Sequence, residues 1–133
     1  MLVVSPQRQE ELKEWLCERF GGVDSSTPVY YIGKEIKGKV VAVAAFNNYS
    51  KRTLAIHIAG EGKGVWFTRD FRRYIFWYPF GYLGVNRLIA PIEIDNLKCL
   101  RFAKHLGFQE AFIKNKTNIL SMTKNQCRWL KET

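Results

Sequence analysis

With 133 residues, 47% of them apolar, the chain has enough hydrophobic material for one domain with its own core and too little length for two. Cys17, Cys99 and Cys127 are odd in number, widely spaced and without a Cys-x-x-Cys pair, which argues against a disulfide framework or zinc site and leaves reduced, mostly buried thiols and no metal. The net charge of +9 attracts polyanions, whether nucleic acid, an acidic protein surface or a phosphorylated cofactor, although a solvated lysine-rich surface carries the same charge.

Residues 2–4 form a short strand followed at once by Ser5-Pro6-Gln7-Arg8, so no signal-peptide core is present. The longest apolar run, residues 40–46, is too short to span a membrane, and a cytoplasmic protein is expected. Ser5 caps a helix over 6–20, with Pro6 at its first position and an apolar stripe of Leu12, Trp15, Leu16 and Phe20 that covers one sheet face. Gly21-Gly22 stops it, and 24–28 is a polar loop. Three strands follow at 29–36, 39–46 and 53–60, joined by turn chemistry at Lys37-Gly38 and at 47–50, which makes an antiparallel meander.

In the third strand Leu54, Ile56 and Ile58 alternate with Thr53, Ala55 and His57. Gly60, Gly62 and Gly64 break it, and Thr68 caps a helix whose apolar positions Phe71, Tyr74, Ile75 and Tyr78 follow i, i+3, i+4, i+7. A strand, a glycine-rich turn and a helix N-terminus suit phosphate oxygens, and the turn also carries Lys63 and Arg69. Pro79 predicts a kink or an early end near Tyr78. The strand 86–94 must then pair in parallel through a right-handed crossover, and Pro91 within it predicts an edge, a bulge or a gap to a neighbour. Asp95-Asn96 caps the helix Leu97–Leu106, which Gly107-Phe108 terminates. Gln109–Lys114 and 119–123 make a hairpin around 115–118, and 125–133 is a short terminal helix anchored by Trp129 and Leu130. The expected fold is one α/β domain over 1–133: a mixed sheet in which an antiparallel meander joins a parallel βαβ pair, with helices on both faces.

This order of elements, and above all IEIDNLKCLRFAKHLGF, resembles the GNAT superfamily of acyl-CoA-dependent N-acetyltransferases. Through WFTRDFRRYIFWYPF followed by LGVNRL it is most similar to the short GNAT-like proteins of phages and prophages, which places it in a bacterial host's cytoplasm. The most specific piece is Asn96, Cys99, Gly107 and Phe108, at the family's Asn-x-x-(Ala/Ser) to Gly-Phe spacing. The resemblance implies acetyl-CoA as co-substrate, lying in a splay between the strands Thr53–Gly60 and 86–94, and an amine as acceptor. Backbone at Ile58, Ala59 and Gly60 would meet the pantetheine arm; Gly64, Trp66, Phe67, Thr68 and Arg69 would meet the pyrophosphate, with Asn96 and Lys104 as further cofactor contacts. The family's (Gln/Arg)-x-x-Gly-x-(Gly/Ala) loop falls on 64–69, where Phe67 and Arg69 occupy its two glycine positions. Either Gly62 and Gly64 let the backbone approach phosphate from a displaced turn, or binding is altered.

His57 is the candidate general base, with Glu93 as a second and Glu61 and Asp95 behind them; each is equally read as a core, exposed or capping residue. The family's tyrosine acid falls on Ala103 and is absent. Asn96 also reads as a simple N-cap and Cys99 as helix packing. Trp66, Phe67, Phe71, Tyr74, Phe76, Trp77, Tyr78, Phe80 and Tyr82 cover more than one helix face; core packing accounts for most of them, and the excess is exposed or meets a partner, a homodimer mate or a substrate. Two other functions fit these residues: a non-catalytic GNAT-fold binding or phage-assembly protein, and a nucleic-acid-binding module using Arg72, Arg73, Tyr74 and Trp77.

Overall fold

The computed structural model describes residues 1–62 and 64–131; Lys63 of the glycine-rich turn and the last two positions of the terminal helix lie outside the described residues. In chain order the elements are β1 (Leu2–Val3), a 3-10 turn (Pro6–Arg8), α1 (Gln9–Phe20), β2 (Tyr30–Ile36), β3 (Lys39–Ser50), β4 (Thr53–Gly60) and α2 (Arg69–Trp77). A π-helical turn (Tyr78–Tyr82), β5 (Arg87–Glu93), α3 (Leu97–Leu106), β6 (Gln109–Lys114), β7 (Thr117–Thr123) and two 3-10 turns (Lys124–Gln126, Arg128–Lys131) complete the chain. The strands form one sheet in the order β1-β2-β3-β4-β5-β7-β6. Every pair is antiparallel except β4 with β5, because α2 carries the chain back across the sheet between them.

Alternation along the strands builds a core on each face. Ala42, Ala44 and Phe46 of β3, Leu54 and Ile56 of β4 and Leu88, Ala90 and Ile92 of β5 pack with Phe71, Ile75 and Phe76 of α2 and Leu100, Ala103 and Leu106 of α3. On the opposite face Val43 and Ala45 join Val3 and Tyr31 under Leu12, Trp15 and Leu16 of α1. Gly33 lets α1 down onto β2: a Cβ there would lie 2.6 Å from a Leu12 methyl carbon. Among the described residues no helix is long and apolar enough to cross a membrane.

Several local expectations need correction. β3 runs on to Ser50, and the turn is Lys51-Arg52, with φ of 49° and 67° as a type I′ hairpin requires. Asn47 and Asn48, read as turn residues, instead serve a bulge: Asn48 takes φ 56°, while the Asn47 side chain is buried and bonded. Phe20, placed in the apolar stripe, is exposed beside the Trp15 ring, and the α-helical part starts at Gln9 after a 3-10 turn. The second hairpin turns at Asn115-Lys116, both with positive φ, so β7 begins at Thr117. Residues 124–131 form two 3-10 turns rather than a helix, held by Trp129, whose indole N–H donates to the Leu106 carbonyl at 2.9 Å. Pro79 acts as expected: α2 stops at Trp77, and the Leu83 amide bonds back to the Tyr78 carbonyl at 2.9 Å.

Candidate active site

β4 is paired along one edge with β3 as far as Gly60↔Ala42, but along the other with β5 only from Thr53↔Arg87 to Ala55↔Ile89. Beyond that level the two parallel strands separate, and β5 keeps only β7 as partner, from Arg87↔Thr123 to Glu93↔Thr117. Pro91 lies in the separated stretch, where it presents no N–H. The backbone of Ile58, Ala59 and Gly60, half-buried, therefore keeps one strand edge free of sheet bonding.

A loop of open glycines leads from β4 to α2. Gly62 and Gly64 have φ of 82° and 85° with nothing within 4 Å of a built Cβ, so they serve chain direction rather than close packing. The close approach is at Gly60, where a Cβ would stand 2.1 Å from the Trp66 ring. That indole is buried among Phe67, Phe71 and Phe102, edge to face at 5.8, 6.0 and 5.6 Å. Phe67 and Trp66 are thus wall residues joining α2 to α3.

Thr68 occupies the N-cap position, but its hydroxyl donates to the Asp70 carboxylate instead of accepting from a helix amide. Asp70 does the capping. Its Oδ1 accepts from the Phe71 amide at 2.7 Å, and both oxygens accept from the Lys34 ammonium, at 3.0 and 3.1 Å. Partial burial alone would raise the Asp70 pKa, yet the bonds from Thr68, Lys34 and the Phe71 amide outweigh it and hold the carboxyl below its ordinary range. Arg69 is exposed at the helix start, and its amide and that of Asp70 have no intrahelical acceptor. Sequence reasoning missed both Asp70 and Lys34. An acidic residue two places after Thr68 was a local signal for the first; nothing local marks the second.

His57 projects to the α1 face with Ala55 and Ala59, opposite Ile56 and Ile58. Its Nε2 lies 3.0 Å from Oδ1 of Asn47, whose own Nδ2 donates to the Asp24 carbonyl at 2.9 Å. With its amide nitrogen committed to Asp24, Asn47 presents an acceptor to the ring, so the proton sits on Nε2 and the lone pair on Nδ1. Burial lowers the imidazole pKa below its ordinary 6.5 and favours the neutral form. Glu93 is exposed at the end of β5 and shares His57's face of the sheet, since Leu88, Ala90 and Ile92 alternate into the other core.

The remaining candidates are paired, capping or exposed. Glu61 pairs with Arg19 of α1, and Asp95 is exposed in the turn before α3. Asn96 caps α3 by accepting from the Cys99 amide at 3.2 Å. Lys104 pairs with Glu110 of β6 at 3.1 Å. Cys99 and Cys127 are covered and Cys17 is exposed; burial pushes the thiols of Cys99 and Cys127 up. Ala103 is buried in the core.

The fit to acetyl-CoA is uneven. The free edge of β4 suits the two amides of a pantetheine arm. Gly64 and the amides of Arg69 and Asp70 remain open to a pyrophosphate, but the Asp70 carboxylate stands in the same helix start and opposes it.

No protein-family model matches the sequence, and neither does any curated protein. Solved structures do. The N-acetyltransferase PseH of Campylobacter jejuni in complex with acetyl coenzyme A superposes with a TM-score of 0.64 at 15% identity, over 93% of this chain and 99% of that one. A probable acetyltransferase gives 0.67 at 16% identity, over 93% and 92% of the two chains. Spermidine N-acetyltransferase of Vibrio cholerae in complex with CoA and spermine gives 0.60 at 15% identity, over 88% and 76%. At these identities the likeness establishes the fold: the chain has the mixed sheet and helix arrangement of the GNAT N-acetyltransferases.

Proposed function

We propose that the protein transfers an acetyl group from acetyl-CoA to an amine. The observation that carries this reading is the parting of β4 from β5 after Ala55↔Ile89, which frees a strand edge leading to the start of α2. Fold neighbours that hold acetyl-CoA or CoA support it.

When bound, acetyl-CoA supplies the thioester carbonyl that a neutral amine attacks. The backbone of Ile58, Ala59 and Gly60 fixes the arm, Trp66 and Phe67 form its wall, and Gly64, Thr68 and Arg69 meet the phosphates. His57 takes a proton from the acceptor's ammonium at Nδ1, and Glu93 on the same face is the alternative proton acceptor. With alanine at 103, no side chain there protonates the departing sulfur. A thiol of pKa near ~8.5 leaves without that help. The net charge of +9 argues against a polycation such as spermine as acceptor, because the whole field of the protein repels it.

Calorimetric titration with acetyl-CoA and with CoA tests this. Micromolar binding that is lost in Arg69→Glu is expected. Absence of heat at millimolar ligand favours a second reading, a GNAT-fold binding protein without turnover, which the Trp66 indole against Gly60 and the Asp70 carboxylate in the α2 start both support.

A further inference from the structure

The outer flank of α2 gathers aromatic rings that the core takes up only in part. Tyr30 of β2, Tyr74 and Trp77 of α2, and Tyr78 and Tyr82 of the π turn form a continuous run. Successive centroids lie 4.5 Å (Tyr30–Tyr78), 5.9 Å (Tyr78–Tyr82), 5.7 Å (Tyr82–Trp77) and 5.4 Å (Trp77–Tyr74) apart. Trp77 and Tyr82 are 45% and 68% exposed. They are nonetheless placed: the Trp77 indole rests on Gly81, where a Cβ would come within 2.7 Å of the ring. Burial and the neighbouring phenols push the Tyr30 pKa up to about 12, so its hydroxyl stays neutral.

Two recesses flank the Tyr74–Trp77 ridge. One, of about 370 Å³, is lined entirely by these five rings; the other, of about 300 Å³, adds Asp70, Arg73, Trp129 and Leu130. Each has room for a planar base. The surrounding charge is basic. Arg69 and Arg73 stand one helical turn apart, both exposed, and the Arg128 guanidinium lies 4.4 Å from the Trp129 ring centre. Arg52 reaches the Gly84 carbonyl beside Tyr82, at 3.3 Å. The carboxylate in the second recess, Asp70, is already paired with Lys34.

We propose that this flank of α2 binds single-stranded nucleic acid, with bases stacked on Trp77 and Tyr82 and a phosphate on Arg73, outside the residues that would meet CoA. Every base has a π face, so exposed rings among cations suit a single strand whatever its sequence. A duplex keeps its base faces stacked and offers these rings nothing. A small organic cation would find ring faces but must approach a protein of charge +9. A second copy docking by a twofold axis would set the same arginines against one another. The inference is independent of acetyl transfer and calls for no bound CoA.

Fluorescence anisotropy with a labelled oligothymidylate of a dozen nucleotides, and with the matching duplex, decides it. The single strand is expected to bind more tightly than the duplex. Trp77→Ala and Tyr82→Ala should each weaken it about tenfold, and Tyr82→Ala, at the more exposed of the two rings, should do so with melting temperature unchanged. Arg73→Glu should weaken binding and lower the salt slope by roughly 0.7 for each phosphate that is no longer neutralised. Phe112→Ala, at an exposed ring on β6, should change nothing, and excess CoA should not displace the strand. Equal affinity for single strand and duplex, indifference to both aromatic substitutions, absence of binding at about 50 mM salt, or a dimer that Trp77→Ala dissociates would each overturn the proposal.

Discussion

His57 carries two roles that different measurements separate. As a base it needs its Nδ1 lone pair, which the bond from Nε2 to Asn47 preserves. As a structural group it satisfies the oxygen of an asparagine that is only 1% exposed. His57→Ala is therefore expected to lower the acetyl-transfer rate by roughly 10²-fold, with CoA affinity nearly unchanged. It should also cost about 1 to 3 kcal/mol of stability, because Asn47 loses a partner. The pH dependence follows from the lowered imidazole pKa. Unfolding exposes a group that binds a proton more readily, so its stabilising contribution is complete above pH 6.5 and is lost as pH falls through the lower folded value. The rate should fall over the same acid limb. A variant as active as the parent but less stable would remove His57 from the chemistry. The face that His57 occupies was legible in the alternation of residues 53–58, but its partner was not. Asn47 has turn-forming chemistry, and its bonds run to Asp24 and His57, respectively 23 and 10 positions away, which no local pattern records.

At the scale of elements the start of α2 is where reading and structure part. The helix itself was plain from Phe71, Tyr74, Ile75 and Tyr78, and Pro79 marked its end. The loop before it looked like a phosphate seat because strand, glycines and helix start have that order in the sequence. What the sequence pattern does not carry is occupancy: the Asp70 carboxylate and the Lys34 ammonium already neutralise each other there, and Trp66 already leans on Gly60. Asp70→Asn separates the two influences. Lys34, 6% exposed, loses its counter-charge, at a cost of about 1 to 3 kcal/mol; a fully buried pair would cost about 3 to 5. The helix start loses a competing anion, so CoA should bind about two- to fivefold more tightly. Titration and thermal melting on one preparation check both signs. Weaker CoA binding would instead mean that Asp70 shapes the loop for phosphate.

For the whole molecule, the fold was readable because each face of the sheet writes its own alternation and each helix end its own cap: Asn96 and Gly107 bound α3 as expected. Two of the departures, the length of β3 and the early start of β7, lie where a positive φ falls on Lys51, Arg52, Asn115 and Lys116 rather than on glycine. The parting of β4 from β5 is a property of the sheet as a whole, set by an antiparallel meander meeting a parallel crossover, and it decides whether the free edge receives a ligand. Amide hydrogen exchange resolved residue by residue, with and without acetyl-CoA, tests that directly. Binding in the splay predicts slowed exchange at Ile58 and Gly60, whose amides face the open edge, and at Arg69, with the β3–β4 ladder, Ala59 included, unchanged. Saturating acetyl-CoA that leaves Ile58 and Gly60 exchanging as in the free protein, or that protects another surface instead, would contradict the account.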